Sequence, residues 1–375
     1  MATRHIASGE VLLSVPLDEC AFADDDAPRP DLSAEALAEL GRIPWWARLA
    51  CRLLYERSLG SGSEYLPAVQ LIPTHLPTTP LVEDAAIDLL SECYPPAGRQ
   101  CAALRNGVAA AYAFMCTSPE SEALLSKASY EAFLHAVAVV HSRCYGFFDE
   151  ATRRWVRVMV PLCDMANHGG DRALGQSTKG RMLMEVVDDG NLRWDIHDGC
   201  LLMSAVRDVT PGEEALFSYR EQSNDHFLLF YGFIPPGNPH DDLVLFDDVD
   251  HLLAWWTQSY GPVTGVDIVS SVRQAVAAVE ADVAAETQRD ILDAGVNVKQ
   301  LKVLPGLRED NRMEAAFLAC FSGDREAAGR AVAQRRMELR DGLERALAAP
   351  AVNGVLREYL QHKVSLANEP WAQTS

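Results

Sequence analysis

Residues 160–169 read Val-Pro-Leu-Cys-Asp-Met-Ala-Asn-His-Gly. Ahead of them Val156, Val158 and Val160 alternate with Arg157 and Met159, a period of two that puts the valines on one face of a strand. Pro161 ends the ladder because it has no N–H to donate. Asp164, Asn167 and His168 follow directly, and Gly169-Gly170 frees the backbone to turn away. A strand that delivers Asp, Asn and His to one place is a ligand shelf or, more plainly, a buried turn whose Asn and His satisfy nearby backbone groups. By itself the stretch favours the plainer reading.

Upstream, residues 4–16 read as a strand, a Ser-Gly turn and a second strand ended by Pro16. Residues 22–33 are rich in Asp and Pro and predict a loop. From about 34 to 143 the pattern is helical. Pro44 opens a helix carrying Trp45, Leu49, Leu53 and Leu54, an Ala-rich helix runs near 99–116, and Ser129 caps a third with Phe133, Val137 and Val140 on one face. That helix ends near Ser142-Arg143-Cys144-Tyr145-Gly146, where an arginine suits the exposed carbonyls of a last turn.

Downstream the period of two returns over 155–219. Met182–Val187 and Leu192–Ile196 flank Asp188-Asp189-Gly190-Asn191, which predicts a hairpin. Leu201–Val206 and Ala215–Tyr219 are further strands, and Ser223 caps a short helix with Phe227, Leu228 and Tyr231, stopped by Gly232. Gly237-Asn238-Pro239 marks a boundary zone. From about 247 the chain reads as helical, with segments at 250–260, 266–287, 311–322, 324–348 and 352–364.

Composition narrows the function classes. The chain has 375 residues, a formal net charge of -20 and a pI near 4.9. A phosphate-backbone binder needs a basic face, so no nucleic-acid partner is expected, whereas a basic protein substrate suits the charge. Nine scattered cysteines form no C-x-x-C pair, a poor pattern for zinc or a disulfide framework. Asp164 and His168 lie at i, i+4, but no third or fourth ligand follows at credible spacing, so no metal is expected. No apolar run is long enough for a membrane span. A cysteine hydrolase built on Cys163 near His168 finds no nucleophile-elbow pattern.

Three separated stretches belong together: Ser142-Arg143, Asp164 to His168, and Gly212-Glu213 through Tyr219, Ser223-Asn224 and Tyr231-Gly232-Phe233. In order and separation they resemble the SET-domain methyltransferases, in the branch typified by the Rubisco large-subunit lysine methyltransferase. The likeness covers 4–17 and 129–240. It implies an α+β fold: a SET domain of small twisted β-sheets over 1–240 with a helical insert at about 34–143, a chain segment threaded near Asn-His, and an all-α substrate-binding domain over 247–375.

The resemblance also implies S-adenosyl-L-methionine as cofactor and a non-histone protein lysine as methyl acceptor. It assigns Ser142, Arg143, Asn167, His168 and Phe233 to the cofactor. Arg143, Asp164, Tyr219 and Tyr231 fall to the substrate, with Tyr219 at the catalytic centre. A related branch methylates a histidine of actin and lacks the tyrosine of Tyr-Gly-Phe, so Tyr231 favours lysine. The branch opens with a Gly-x-Gly segment that cradles the cofactor, where Met1-Ala2-Thr3-Arg4 stands here. The expectation is therefore that residues precede Met1, with a cytoplasmic location, or a chloroplast-stroma one if a transit peptide lies among them. Lacking those glycines, the chain is alternatively a catalytically weak protein-binding module.

Overall fold

The structure, a computed structural model, describes residues 1–20, 22–23, 32–81, 83–149, 153–178, 181–261, 267–291, 299–304, 308–309, 311–349, 352 and 354–368. Most of the loop expected over 22–33 lies outside them, although Phe22–Ala23 forms a short strand. The chain divides into two compact units, Met1–Asp84 with Gln100–Pro239, and Ala85–Arg99 with His240–Ser375.

Among the described residues the first unit holds ten strands: β1 (Val11–Pro16), β2 (Phe22–Ala23), β3 (Cys144–Asp149), β4 (Arg154–Met159), β5 (Asn167–His168), β6 (Asp171–Thr178), β7 (Arg181–Asp188), β8 (Leu192–His197), β9 (Cys200–Ala205) and β10 (Leu216–Phe217). They make four small sheets, ordered β1-β9-β8, β2-β4-β3, β6-β7 and β10-β5. The β5/β10 pair is parallel, with Leu216 opposite Asn167 and Phe217 opposite His168. Val158 and Val160 are buried as the alternation predicts, but so is Met159, because the end of β4 is covered on both sides. The first segment of the expected N-terminal strand pair is a single bridge, Ile6 to Val209.

The hairpin expected across Asp188–Asn191 does not form. β7 pairs back onto β6, and β8 pairs forward onto β9. The two-residue turn is Asp198-Gly199 instead, both at positive φ (49° and 73°), as the twist of paired strands requires. Asp189-Gly190 is spent on another task. The Asp189 N–H donates to Gly170 O, and a Cβ on Gly169 would lie 2.7 Å from Gly190 Cα. The two glycines therefore let two backbones touch.

The helical insert has its own core. Leu49 and Leu53 of the Trp45–Leu59 helix pack with Phe133, Val137 and Val140 of the Tyr130–Arg143 helix, all fully buried. Each such side chain contributes about 1.5–3 kcal/mol. Ser129 caps the second helix by accepting the Ala132 N–H. This anchored helix fixes the height at which Ser142 and Arg143 emerge.

The second unit is mostly helical: Val249–Tyr260, Ile268–Ile291, Asn311–Cys320, Arg325–Leu347 and Gly354–Asn368. It is not all-α. β11 (Leu243–Phe246), β12 (Leu301–Leu304) and β13 (Arg308–Glu309) form a three-stranded antiparallel sheet. Four consecutive buried residues in β11 give no alternation, the signature of a strand covered on both faces. Lys363 is fully buried beside it, donating to Asp241 Oδ1 (2.8 Å) and Asp242 O (2.5 Å) between the rings of Tyr94 and Tyr359. An ammonium is tolerated there because it is paired, hydrogen-bonded and faced by aromatic rings.

The segment after Ser223 departs from a plain short helix. One α-turn, Asn224–His226, gives way to a π-turn, Phe227–Tyr231, closed by Gly232 at φ +73°. A Cβ on Gly232 would sit 2.4 Å from the Pro77 carbonyl oxygen. Gly232→Ala combines a left-handed backbone with a backbone clash, so it should lower stability by about 2 kcal/mol or more. Urea denaturation of the purified variant reads this directly.

Candidate active site

The shelf is built by strand pairing. After β4 the chain turns through Leu162, whose φ of +69° is left-handed and costs a side-chain-bearing residue roughly 1–2 kcal/mol. Cys163–Met165 form a single 3₁₀ turn, and Asn167–His168 then enter the parallel pairing with β10. The Gly169 N–H extends the ladder by donating to Phe217 O (2.9 Å).

The clamp on this pairing is Asn191, which the sequence reading treated as a turn residue. It is buried, and its Nδ2 donates to Glu214 O (2.7 Å) while its Oδ1 accepts the Leu216 N–H (2.8 Å). Its backbone N–H donates to Leu216 O (2.9 Å). One side chain thus completes the edge of β10. Its only sequence signal, the Asp-Gly-Asn run, pointed to a hairpin.

The structure brings most of the expected residues together. Arg143 Nη1 reaches Asp164 Oδ2 (3.1 Å) and Asp164 O (2.9 Å), a charge-assisted pair with both side chains mostly buried. Burial raises the Asp164 carboxyl above its ordinary value and outweighs the opposing pull of Arg143. Arg143 Nε is buried with no partner among the described residues. Ser142 lies at the end of the same helix, and its hydroxyl is turned onto the carbonyls of Ala138 (2.9 Å) and Val139 (3.2 Å). The structure therefore gives Ser142 a local helix contact. Asn167 is exposed; its Nδ2 donates to Glu214 Oε1 (2.7 Å), and its Oδ1 has no partner among the described residues. His168 Nδ1 accepts the Tyr219 N–H (3.1 Å), which leaves the ring proton on Nε2.

The phenol of Tyr219 points into this corner, donating to Ala166 O (2.9 Å). Burial pushes its pKa up to about 12, so it stays protonated through the neutral range and is not a base. Its single hydrogen is committed to Ala166 O, which leaves the oxygen free to accept. The ring of Tyr231 lies 4.9 Å away, tilted by 36°. Burial raises that phenol too, with Tyr219 adding to the effect. Phe233 completes the group, 6.1 Å from His168 and 6.2 Å from Tyr231. The π-turn is what places Tyr231 there, a local distortion often found at functional sites.

Two further groups shape the corner. Tyr145, which the sequence places only at a helix end, lies in β3, is buried beneath the corner, donates to Cys163 O (2.8 Å) and stacks on Phe217. Burial pushes the Cys163 thiol up to about 12; a buried, protonated thiol is a poor nucleophile, which removes the hydrolase reading.

The small sheets, the helical insert and the paired shelf together give the chain the fold of the SET-domain methyltransferases. In particular it is similar to the solved structure of Rubisco LSMT bound to AdoMet, with a TM-score of 0.57, 14% identity, and coverage of 98% of this chain and 81% of that one. The SET domain of LSMT bound to lysine and AdoHcy gives 0.56, 15%, 98% and 79%. No family model matches. In sequence the chain is 28% identical over 249 residues to the actin-histidine N-methyltransferase of Canis lupus familiaris, and 27% identical over 256 residues to that of Homo sapiens. Each match takes in 64% of this chain, which spans 38% of the length of those relatives.

Two outcomes test the site's architecture. Asn191→Ala strands a buried N–H and a carbonyl, and should cost about 2–4 kcal/mol, read as a lowered urea midpoint. For Asp164 the raised pKa sets the sign. Stability from the protonated carboxyl is fully present below its ordinary 3.8 and is lost as pH climbs through the raised value. Wild-type stability minus that of Asp164→Asn should therefore fall with rising pH across that window.

Proposed function

We propose that the chain transfers a methyl group from S-adenosylmethionine to a lysine side chain of another, non-histone protein. The supporting observation is Tyr219, its hydroxyl bound to Ala166 O and its ring packed at a tilt against Tyr231. The residues present suit the cofactor. Asn167 Oδ1 and the buried Arg143 Nε are unfilled polar positions at the shelf, and Phe233 offers a flat apolar face for an aromatic base. Bound there, the cofactor supplies an electrophilic methyl on a sulfonium. The mostly helical second unit is assigned the docking of the protein substrate.

The acceptor must be neutral, yet a lysine in water has a pKa of about 10.4. Burial beside the rings of Tyr219 and Tyr231 disfavours ammonium by desolvation. Because the Tyr219 hydrogen is engaged, its oxygen accepts an N–H from the amine and so aims the remaining lone pair. Tyr231 flanks the same corner and can take the second N–H. A primary amine has two such hydrogens to place, whereas a neutral imidazole has one. With no strong base in the corner, alignment carries most of the acceleration, an effect that supplies roughly 7–11 kcal/mol in well-oriented systems.

A histidine acceptor is the second reading, motivated by the actin-histidine N-methyltransferase relatives. Tyr231 speaks against it, since that branch lacks the tyrosine. The test is transfer of labelled methyl from S-adenosylmethionine to lysate proteins, followed by acid hydrolysis. Label should appear as methyl-lysine, and Tyr219→Phe should lose about a hundredfold in kcat. The rate should rise with pH as amine deprotonates, with no decline until pH nears the Tyr219 value of about 12. Label in methylhistidine, or none at all, sinks the lysine assignment.

A further inference from the structure

Beside the shelf lies a shallow hollow, open to solvent, that the chemistry above does not use. The Leu66–Leu71 helix and the residue after it form one wall, with Leu71 and Ile72; the 159–164 segment forms the other, with Pro161 and Leu162. Asp164 is the sole polar residue among its lining. Its rim is unusual for a chain of net charge -20. Leu71 is 48% exposed and Leu162 is 52% exposed, and Met165, three positions on, is 46% exposed. Leu162 takes a left-handed backbone, a conformation that glycine or asparagine adopts more readily. Large apolar side chains grouped around a concavity mark an interaction surface.

We propose that an apolar side chain of the protein substrate, a few residues from the one that is methylated, packs across this shallow hollow against Leu71 and Leu162. The inference rests on the methyl-transfer reading and names what that site recognises. Two observations choose the occupant. The hollow is continuous with the corner: Asp164 lines it and also pairs with Arg143, and Ala166, two residues on, holds the Tyr219 hydroxyl. Two residues span about 7 Å at most, and an extended peptide advances about 3.3–3.6 Å per residue. A substrate chain whose target enters beside Tyr219 therefore lays a neighbour within about four positions over the hollow. Polarity agrees as well, since the lining is apolar apart from the Asp164 carboxylate, which Arg143 already pairs.

The test uses the full chain and nine-residue peptides with one central lysine. A leucine is walked from four positions before the lysine to four after it on a Gly-Ser background. Binding is read by fluorescence anisotropy with S-adenosylhomocysteine present, and methyl transfer is read separately with S-adenosylmethionine. One leucine position should bind at least tenfold more tightly than the all-Gly-Ser peptide, with a matching fall in KM and little change in kcat. Leu162→Asn keeps a residue that tolerates the left-handed backbone, and Leu71→Gln changes an exposed side chain; each should erase the preference.

Equal binding of all peptides, or a preference that survives both substitutions, overturns the proposal. A concentration-dependent dimer that dissociates in Leu162→Asn also overturns it, because the occupant is then a second copy of the chain. If the preference appears in binding and vanishes in the variants while no methyl moves, the hollow stands as proposed and the transferase reading fails.

Discussion

Two rungs of parallel pairing, Asn167 to Leu216 and His168 to Phe217, carry the first unit. Parallel strands joined by so few residues gain little from the ladder itself. Other groups must hold them, and the structure supplies three. Gly169 and Gly190 let two backbones come within van der Waals distance. Asn191 saturates the free edge of β10. His168 uses its ring nitrogen to receive the backbone of Tyr219. Every one of these contacts lies within a few residues of a side chain assigned to chemistry. The shelf is therefore stiff because the fold is built through it.

That stiffness matters for a reaction needing no proton relay of its own. The corner offers orientation: a phenol whose hydrogen is committed to Ala166 O, a second phenol alongside, and the ring of Phe233 against it. Arg143 and Asp164 neutralise one another at its edge. The pair leaves the carboxyl destabilised in its charged form, so the site keeps a charge that it does not solvate well.

Much of this could be read from the sequence, and the failures have physical causes. Helices with a clear apolar face and a hydroxyl cap, such as the one from Ser129 to Arg143, were legible because both signals are local. The residues of the corner were legible only as an ordered set; alone, Tyr219 or Asn167 is an ordinary packing or turn residue. Asp188–Asn191 misled because a tight-turn composition serves equally for a close backbone approach. β11 escaped notice because a strand covered on both faces has no alternation, and the π-turn because nothing in Phe-Leu-Leu-Phe-Tyr encodes one extra residue. The clamp of Asn191 depends on partners some twenty-five positions away, beyond any local pattern.

The widened turn before Gly232 has a consequence for how this chain can vary. An α-helix advances about 100° per residue, so the additional residue in Phe227–Tyr231 acts as an angular shim. Removing one residue there would leave a well-formed helix, yet rotate Tyr231 out of its contact with Tyr219. Single-residue deletions in this segment would thus separate folding from chemistry. Relatives of equal stability could differ in acceptor preference through the count of residues in one turn, with every aromatic still in place.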